Sequence, residues 1–545
     1  MPATLFRRVL LPALLLLAVG WGLGGYFETN DDAAIILLLR GTTAAAPVTD
    51  LHLYFHGLSA LLASLYQLAP AVPWYALLLY GLLYAATVGA FTFLDRLLAG
   101  RVPVFWATAL LALFFLVAWL EHGFWFNYVR VPVLLAGVGL LLAAQRPASR
   151  RLLVLGVLAF GISWLIRPSA ALLGLLAVVP GALWLSGRQA LPVLAGALLW
   201  AGLGAVLLGA TQTGPAKAYR TLDVLKSNLN DYQFYRPTPR TAPDSLGLRA
   251  VRHWLLADSA LVNPALFRRA GTLDVPFFLR ETVPAKAGLL LRQLARDYFP
   301  LLLLQAVLLG LVLWQHSAGK QPGRRRWFWL AQAGYVGFVL ALGIILKLPP
   351  RVALPLLDLW ALSNLVYVLP RAAPDRVRGV VALLLAALAL AAGPYAYKTL
   401  HRRQILRAEQ LRGQPLRRAL AAGPPVLVVV ADVLPYKAAS AFRNPDTRPV
   451  RLLLLAGWTS ADPSQPLLRQ RLTGTRIYPA SLVRLLRRGA AVCWLLTPTG
   501  AALVNQQLLL YQPAAYRLVL VPAAGPAAGL SDEAKLHVPR VERLN

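Results

Sequence analysis

The chain has 545 residues, of which 58% are hydrophobic and only 14% are charged, a balance that indicates a membrane protein and not a soluble one. Lys and Arg total 54 against 22 Asp and Glu, giving a net charge of +32. These basic residues stand between apolar runs, so we expect membrane lipid and phosphorylated lipid carriers as partners, and not nucleic acid. The single cysteine excludes an intrachain disulfide.

Apolar stretches recur along residues 1–398. A membrane-spanning helix needs about 20 mostly apolar residues, and eleven stretches are candidates: 9–25, 74–98, 103–120, 128–144, 152–166, 170–185, 191–210, 298–314, 327–346, 352–369 and 380–397. The first stretch continues into aromatic residues without a small-residue cleavage site, so we expect an uncleaved helix. The sequence therefore predicts an α-helical polytopic membrane protein with about 11 transmembrane helices.

The basic residues that flank these stretches predict the orientation, because cytoplasmic loops carry an excess of Lys and Arg. They fall on one side of the predicted bundle: Arg7, Arg8, Arg96, Arg101, Arg146, Arg150, Arg151, Arg188, Lys320, Arg324, Arg325, Arg326, Arg371, Arg376 and Arg378. We expect an inner (cytoplasmic) membrane of a bacterium. The loops 26–73 and 211–297 and the C-terminal residues 399–545 then lie on its periplasmic or extracellular side.

The loop 26–73 holds a further apolar segment, 51–69. Its polar residues include His52 and His56, and a full span here would reverse the orientation of every later loop. We therefore expect 51–69, together with 33–40, to form amphipathic helices along the outer membrane interface.

Residues 399–545 have a different pattern from the rest of the chain. Four short apolar runs, 426–430, 451–455, 491–496 and 517–521, are bounded by Gly, Pro and polar residues, and 480–488 has the pattern of a helix. Such runs are typical of buried strands. The sequence predicts a C-terminal extracytoplasmic α/β domain.

A cluster of carboxylates, Glu28, Asp31 and Asp32, directly follows the first apolar stretch in a chain that has few acidic residues. Adjacent Asp side chains repel each other and resist desolvation, so packing alone does not explain them. Asn30 and the two Asp residues also suit the start of a helix. Capping and catalysis are compatible, because one residue can cap while its neighbour does chemistry.

The acidic pair after the first span, followed by interfacial helices and a long apolar chain with an outer C-terminal domain, resembles the GT-C class of membrane glycosyltransferases. The resemblance is to the protein mannosyltransferase and aminoarabinose transferase type. The motif Asn30-Asp31-Asp32-Ala33 is similar to the acidic motif of that class, Lys347-Leu-Pro-Pro-Arg351 to its basic element at a late outer helix end, and Ile166-Arg167-Pro168 to a second basic element. The resemblance implies a polyprenyl-phosphate-linked sugar as donor.

Such a transfer needs a base for the acceptor hydroxyl and positive charge for the departing phosphate. We expect Asp31 to be the base and Asp32 to raise its proton affinity or orient the acceptor. Arg351, Lys347 and Arg167 fall at predicted outer helix ends and are the candidates for the phosphate. Each could instead extend toward lipid headgroups.

Histidines near the predicted outer face are further candidates for substrate binding. Glu121 and His122 end the third stretch, and His52 and His56 are four residues apart, on one helix face if that segment is helical. No cofactor is certain. Asp31, Glu121 and His122 are side chains of the kinds that bind a divalent metal, so a metal site formed by them is a further expectation. The alternative is an interfacial hydrogen-bonded turn for Glu121 and His122, and an interfacial polar face for His52 and His56.

Three functions compete. The leading one is an enzyme that moves a sugar from a polyprenyl-phosphate carrier to a glycan, lipid or protein acceptor. The second is a cell-envelope polysaccharide polymerase or ligase, which is favoured by the arginines of the loop 211–297. A transporter is the third, and we expect it least because the charges cluster at predicted helix ends and no repeat is evident.

Overall fold

The computed structural model describes residues 3–317, 322–369, 374–422, 427–431, 438–442, 452–511, 516–522 and 535–543. In this part of the chain, seven helices are long and apolar enough to cross a membrane: Ala3–Leu23, Trp74–Leu98, Val104–Phe124, Pro168–Thr211, Arg325–Ile345, Pro350–Val368 and Val377–Arg412. An eighth is added if Val275–Arg296 and Phe299–Trp314, which meet at 79°, form one bent span. The chain is a helical polytopic membrane protein.

Each of the eleven predicted stretches falls on a helix. In chain order, the helices of the bundle are α1 (Ala3–Leu23), α2 (Asn30–Leu39), α3 (Leu58–Leu68), α4 (Trp74–Leu98), α5 (Val104–Phe124), α6 (Arg130–Ala144), α7 (Arg150–Ile166), α8 (Pro168–Ser186) and α9 (Leu191–Thr211). With 15 and 17 residues, α6 and α7 are short for a span. Both α8 and α9 pack against α7, with Gly187 at φ +57° between them. The number eleven stays a prediction.

The remaining helices are α10 (Gly214–Asn230), α11 (Ala242–Arg252), α12 (Pro264–Ala270), α13 (Val275–Arg296), α14 (Phe299–Ser317), α15 (Arg325–Ile345), α16 (Pro350–Val368) and α17 (Pro374–Ala422). At the centre of the bundle, α6 and α16 have almost all their residues buried. Gly137 permits their contact, since a Cβ there would clash with a methyl group of Leu359. Peripheral helices expose leucines such as Leu155 and Leu199, as contact with lipid requires.

The basic residues near the start of α1 gather with others at one end of the bundle. Arg7 and Arg8 donate Nε–H groups to Asp95 at 2.5 and 2.6 Å, and Arg96 lies within electrostatic reach of Arg8 and Arg146. The acidic cluster follows the other end of α1. Of the predicted basic set, Lys320, Arg371 and the side chains of Arg324 and Arg376 lie outside the described residues.

A short pairing joins the loops that follow α1 and α5. Strand β1 (Tyr26–Phe27) pairs in parallel with β2 (Trp125–Phe126), so the residues after both strands lie side by side. Helix α2 then begins at Asn30 with Thr29 as its N-cap, so Asp31 and Asp32 lie in its first turn instead of capping it. The prediction of an amphipathic interfacial helix is wrong for 33–40, because the side chains of residues 35–39 are buried around the whole helix. In segment 51–69 only α3 is helical, and its 11 residues are too few for a span.

The loop 211–297 contains the helices α10 to α13 and a short antiparallel pair, β3 (Tyr235–Pro237) with β4 (Gly271–Leu273). Thr213, Thr241 and Asn263 cap α10, α11 and α12 through their side-chain oxygens. The helices α10 to α12 share a hydrophobic core with the C-terminal region, in which Leu246 and Phe267 are buried in one cluster with Trp494.

In the described part of residues 399–545, five strands form one sheet in the order β6-β5-β7-β9-β8. They are β5 (Leu427–Val430), β6 (Leu452–Leu454), β7 (Val492–Leu496), β8 (Tyr516–Pro522) and β9 (Lys535–Arg543). The first three are parallel. Four of the five were predicted, although Val426 and Arg451 lie outside the described residues. Helices α18 (Gln465–Thr473), α19 (Tyr478–Leu486) and α20 (Pro498–Leu509) connect the strands.

The C-terminal sheet region contacts the loop that holds the acidic cluster. The Ala441 amide donates to the Gly25 carbonyl at 3.0 Å, and the Gln465 side chain donates to the Thr43 carbonyl at 2.8 Å. Phe442 stacks on Phe126 of β2. These contacts hold Ala441, Phe442 and the start of α18 against the loop after α1, the segment after α2 and β2.

Candidate functional site

Asp32 is the anchor of the acidic cluster. Its carboxylate is fully buried and accepts hydrogen bonds from the Tyr75 hydroxyl at 2.8 Å, the Asn127 amide group at 2.6 Å and the Tyr128 backbone N–H at 3.1 Å. Burial is the main cause that raises the pKa of Asp32 to about 7. The residue joins α2 to the start of α4 and to the loop after β2. It is out of reach of a substrate in this arrangement.

Asp31, in contrast, is half-buried, and it meets a residue from the C-terminal sheet region. Its Oδ1 accepts a hydrogen bond from the Trp458 indole at 3.0 Å. Trp458 follows the carboxyl end of the parallel strand β6, and ligands of α/β sheets commonly bind at that edge. The Trp458 ring also packs edge-on against Tyr54, with centroids 5.5 Å apart. An aromatic wall therefore closes over the carboxylate.

Tyr128 connects Asp31 with two of the predicted phosphate ligands. The Arg167 guanidinium lies over the rings of both Tyr54 and Tyr128, at 5.0 and 5.2 Å from their centroids. Arg167 is also within electrostatic reach of Asp31, and Arg351 is within reach of the Tyr128 hydroxyl. We call Asp31, Tyr54, Tyr128, Arg167 and Arg351, together with Trp458, the loop-end cluster.

Lys347 lies apart from this cluster. Its side chain is 53% exposed, and its Nζ donates to Asp231 of the loop 211–297 at 2.9 Å. Lys286 lies close by. The structure therefore places Arg167 within electrostatic reach of Asp31 and Arg351 within reach of Tyr128, but engages Lys347 elsewhere. The predicted position of Lys347 at a helix end did not indicate the direction in which its side chain points.

A buried ionic network lies behind the loop-end cluster. Arg130 is fully buried and donates to Glu28 at 2.7 Å and to Glu121 at 3.3 Å, and it contacts His122 at 3.3 Å. His122 is bonded to Asp358 at 2.6 Å. Glu28 also accepts the backbone N–H of Arg351 at 3.0 Å. Glu121 and His122 thus hold Arg130 instead of facing Asp31, and the network reaches Arg351 through Glu28.

The two histidines of segment 51–69 diverge. His52 pairs with Asp50 at 3.0 Å, and this hydrogen bond raises the pKa of His52. His56 is buried, and burial lowers its pKa to about 4. Both precede α3, so the expected shared helix face does not exist.

Sequence reasoning missed several residues of these clusters. Arg130 and Asp358 carried a usable signal, because a lone charge inside an apolar segment is commonly functional. Asp358 also lies in the middle of α16, so the expectation that charges are confined to helix ends is wrong there. Trp458 gave no signal, since 427 positions separate it from Asp31.

In the described ranges, no three His, Cys, Asp or Glu side chains form a group suited to a metal ion, so Asp31, Glu121 and His122 are not gathered as ligands. Metal dependence stays a prediction. Comparison with known proteins adds no further constraint, because no family model, curated protein or solved structure matches the chain.

Proposed function

We propose that the chain is an inverting membrane glycosyltransferase of the GT-C type, which moves a sugar from a polyprenyl-phosphate carrier to an acceptor hydroxyl. One observation carries the proposal: a half-buried carboxylate, Asp31, lies within electrostatic reach of the Arg167 guanidinium and of Tyr128, which Arg351 reaches in turn. A base and two cations are what such a transfer requires. The outer face of a bacterial inner membrane is the proposed location, in line with the distribution of basic residues.

In the proposed reaction, the acceptor oxygen attacks the anomeric carbon of the donor and its proton passes to Asp31. The bond between that carbon and the phosphate oxygen breaks, and the lipid phosphate leaves with the electron pair. Arg167 and Arg351 stabilise the negative charge that develops on the phosphate. Asp32 holds the loop in place through its buried hydrogen bonds and is a positioning residue. Trp458 must move from Asp31 before an acceptor can bind.

The C-terminal sheet region has a proposed role in this scheme. It forms an extracytoplasmic α/β domain whose parallel-strand edge presents Trp458 to the cluster, as an acceptor-binding wall would. The eleven-helix arrangement is part of the proposal, because an odd number of spans puts this domain and Asp31 on the same side.

The test is to replace Asp31 and Asp32 singly by Asn and to measure glycan or glycolipid formation in the native host. Glu281→Gln is the control, because Glu281 is an exposed carboxylate in the loop 211–297. We expect loss of product for Asp31→Asn and wild-type amounts for the control. Undiminished product from both Asn variants would rule the proposal out.

Two other functions predict different products. A polymerase or ligase would give a ladder of glycan lengths where the proposed transferase gives one sugar per acceptor. One of its expected arginines, Arg269, is already paired with Asp244 at 2.9 Å.

A transporter is favoured by the buried network around Asp358, since ionisable groups inside a bundle often line transport pathways. Flux of a solute through purified protein in liposomes would support it.

A further inference from the structure

A cavity of about 590 Å³ lies between α7, α9 and residues 49–57, outside the loop-end cluster. Its wall is apolar and includes Trp164, Trp200, Leu203 and Leu207. Leu203 and Leu207 are 58% and 65% exposed on a helix that also exposes Leu199 and Val206. A leucine surface of this kind contacts hydrocarbon in a membrane protein, so the cavity opens toward the bilayer.

The cavity has a polar end. Asp50 and His56 both line it, and His56 is only 8% exposed. Among the described residues, the buried Nε2 of His56 has no hydrogen-bond partner. A buried polar atom without a partner costs about 1 to 3 kcal/mol, so a ligand that bonds to it gains that interaction. With its pKa lowered to about 4 by burial, the imidazole is neutral at pH 7 and offers one donor and one acceptor.

The segment that carries His56 separates this cavity from the loop-end cluster. Tyr54 faces Tyr128 and Trp458, whereas His56 faces the cavity. The amides of Phe55 and His56 donate to the carbonyls of Ile166 and Leu165 at 3.0 and 2.7 Å, which fixes the segment against the end of α7. Phe55 has a positive φ of 55°, and bulky residues adopt such a conformation only when the surroundings impose it.

We infer that this cavity binds a membrane glycolipid, with an acyl chain against Trp164 and Trp200 and a hydroxylated head group at Asp50 and His56. A carboxylate and a neutral imidazole suit hydroxyl groups. A phosphate head group would meet the negative charge of Asp50. Arg220 lies within electrostatic reach of His56 and could favour such a phosphate, so the test includes an anionic phospholipid.

This lipid site is distinct from the proposed transfer site, because the segment fixed by Phe55 and His56 lies between the cavity and the loop-end cluster. Its binding does not depend on the proposed function, because occupancy is measured without any transfer reaction. A chain that binds the glycolipid but does not transfer sugar would disprove the transferase and leave this inference intact.

The experiment uses the purified full chain in nanodiscs that contain a glucosyl diacylglycerol with a photoactivatable diazirine in one acyl chain. After irradiation, mass spectrometry of peptides locates the label, which we expect on those containing Trp164 and Trp200. Leu203→Trp should fill the cavity and abolish this label. Leu199→Trp, one turn away on the same exposed surface and outside the cavity lining, should retain it.

Competition tests the head group. An excess of unlabelled glucosyl diacylglycerol should suppress the label, and phosphatidylglycerol with the same chains should not. His56→Phe should remove this preference while the apolar wall still accepts a chain. Equal labelling of Leu203→Trp and Leu199→Trp, or equal competition by the two lipids in the wild type, would show ordinary surrounding lipid and overturn the inference.

Discussion

Asp31 and Asp32 are neighbours in the chain, but their side chains differ in burial and in hydrogen-bond partners. Asp32 is buried among hydrogen-bond donors from two other segments, whereas Asp31 is half-buried and accepts a hydrogen bond from the Trp458 indole. A base must reach the acceptor proton, and Asp31 is the less buried of the two carboxylates. Under the proposed function, Asp31 is therefore the reacting group and Asp32 the structural anchor.

The pH dependence of stability should reveal the buried state of Asp32. Its pKa is raised from 3.8 to about 7 by burial, so the folded chain holds this proton more tightly than the unfolded chain. The contribution of Asp32 is therefore fully present below about pH 4 and is lost as the pH rises through about 7. Thermal unfolding in detergent should show that the advantage of the wild type over Asp32→Asn shrinks between these values. A constant difference would contradict the assignment, and Glu281→Gln should match the wild type throughout.

The hydrogen bond between Asp31 and Trp458 should appear as a coupling energy. Trp458→Phe removes the indole donor but keeps an aromatic ring beside Tyr54, and Asp31→Asn removes the charge. A bond from a neutral donor to a carboxylate contributes about 1.5 to 3 kcal/mol. In a double-mutant cycle of unfolding free energies, the two substitutions should therefore be less than additive. Strict additivity would mean that the two side chains do not interact.

At the scale of elements, the pairing of β1 with β2 decides how the site is assembled. It sets the residues after α1 beside those after α5, so Glu28 reaches Arg130 and Asp32 reaches Asn127. Arg130 binds both Glu28 and Glu121, which lies at the end of α5. Glu28 in turn accepts the backbone N–H of Arg351 at the start of α16. Three separate helix ends are held by one guanidinium.

Arg130 should consequently be the most sensitive position of the network. Arg130→Met leaves Glu28 and Glu121 buried without their counter-charge, and breaking a buried pair in this way costs about 3 to 5 kcal/mol. Arg292→Met, at an exposed position on α13, is the matched control and should change stability by less than about 0.5 kcal/mol. Thermal unfolding of the two purified variants in one detergent makes the comparison. Equal stabilities would show that the network does not hold these helix ends.

For the whole molecule, the helices were predictable because an apolar run long enough to span a bilayer is a strong local signal. The strands β5 to β8 were predictable for a similar reason, but Pro539 and the charged residues Lys535, Arg540 and Glu542 hid β9. Of the three basic residues predicted at helix ends, Arg167 and Arg351 lie at the loop-end cluster, whereas Lys347 pairs with Asp231. Which side chains meet across the bundle depends on helix rotation and on long-range contacts, and a single sequence records neither.

The predicted orientation can be tested with the single cysteine of the chain. In a Cys493→Ser background, Leu467→Cys places an exposed thiol on α18, and Arg188→Cys places one between α8 and α9. A membrane-impermeant maleimide should label the first variant in spheroplasts and the second only after lysis. The reverse pattern would put the acidic cluster on the cytoplasmic side and remove the basis for an outer-face enzyme.

The most direct test of the central claim is the transfer rate of the Asp31→Asn variant. Purified full-length wild type, Asp31→Asn and Glu281→Gln would be assayed with a radiolabelled polyprenyl-phosphate sugar and membrane extract as the acceptor source, after thermal unfolding has shown that all three are folded. If Asp31 is the base, its replacement lowers the rate by about 10² to 10⁴, the usual contribution of a general base, and the control keeps the wild-type rate. A folded Asp31→Asn variant that transfers sugar at the wild-type rate would contradict the account.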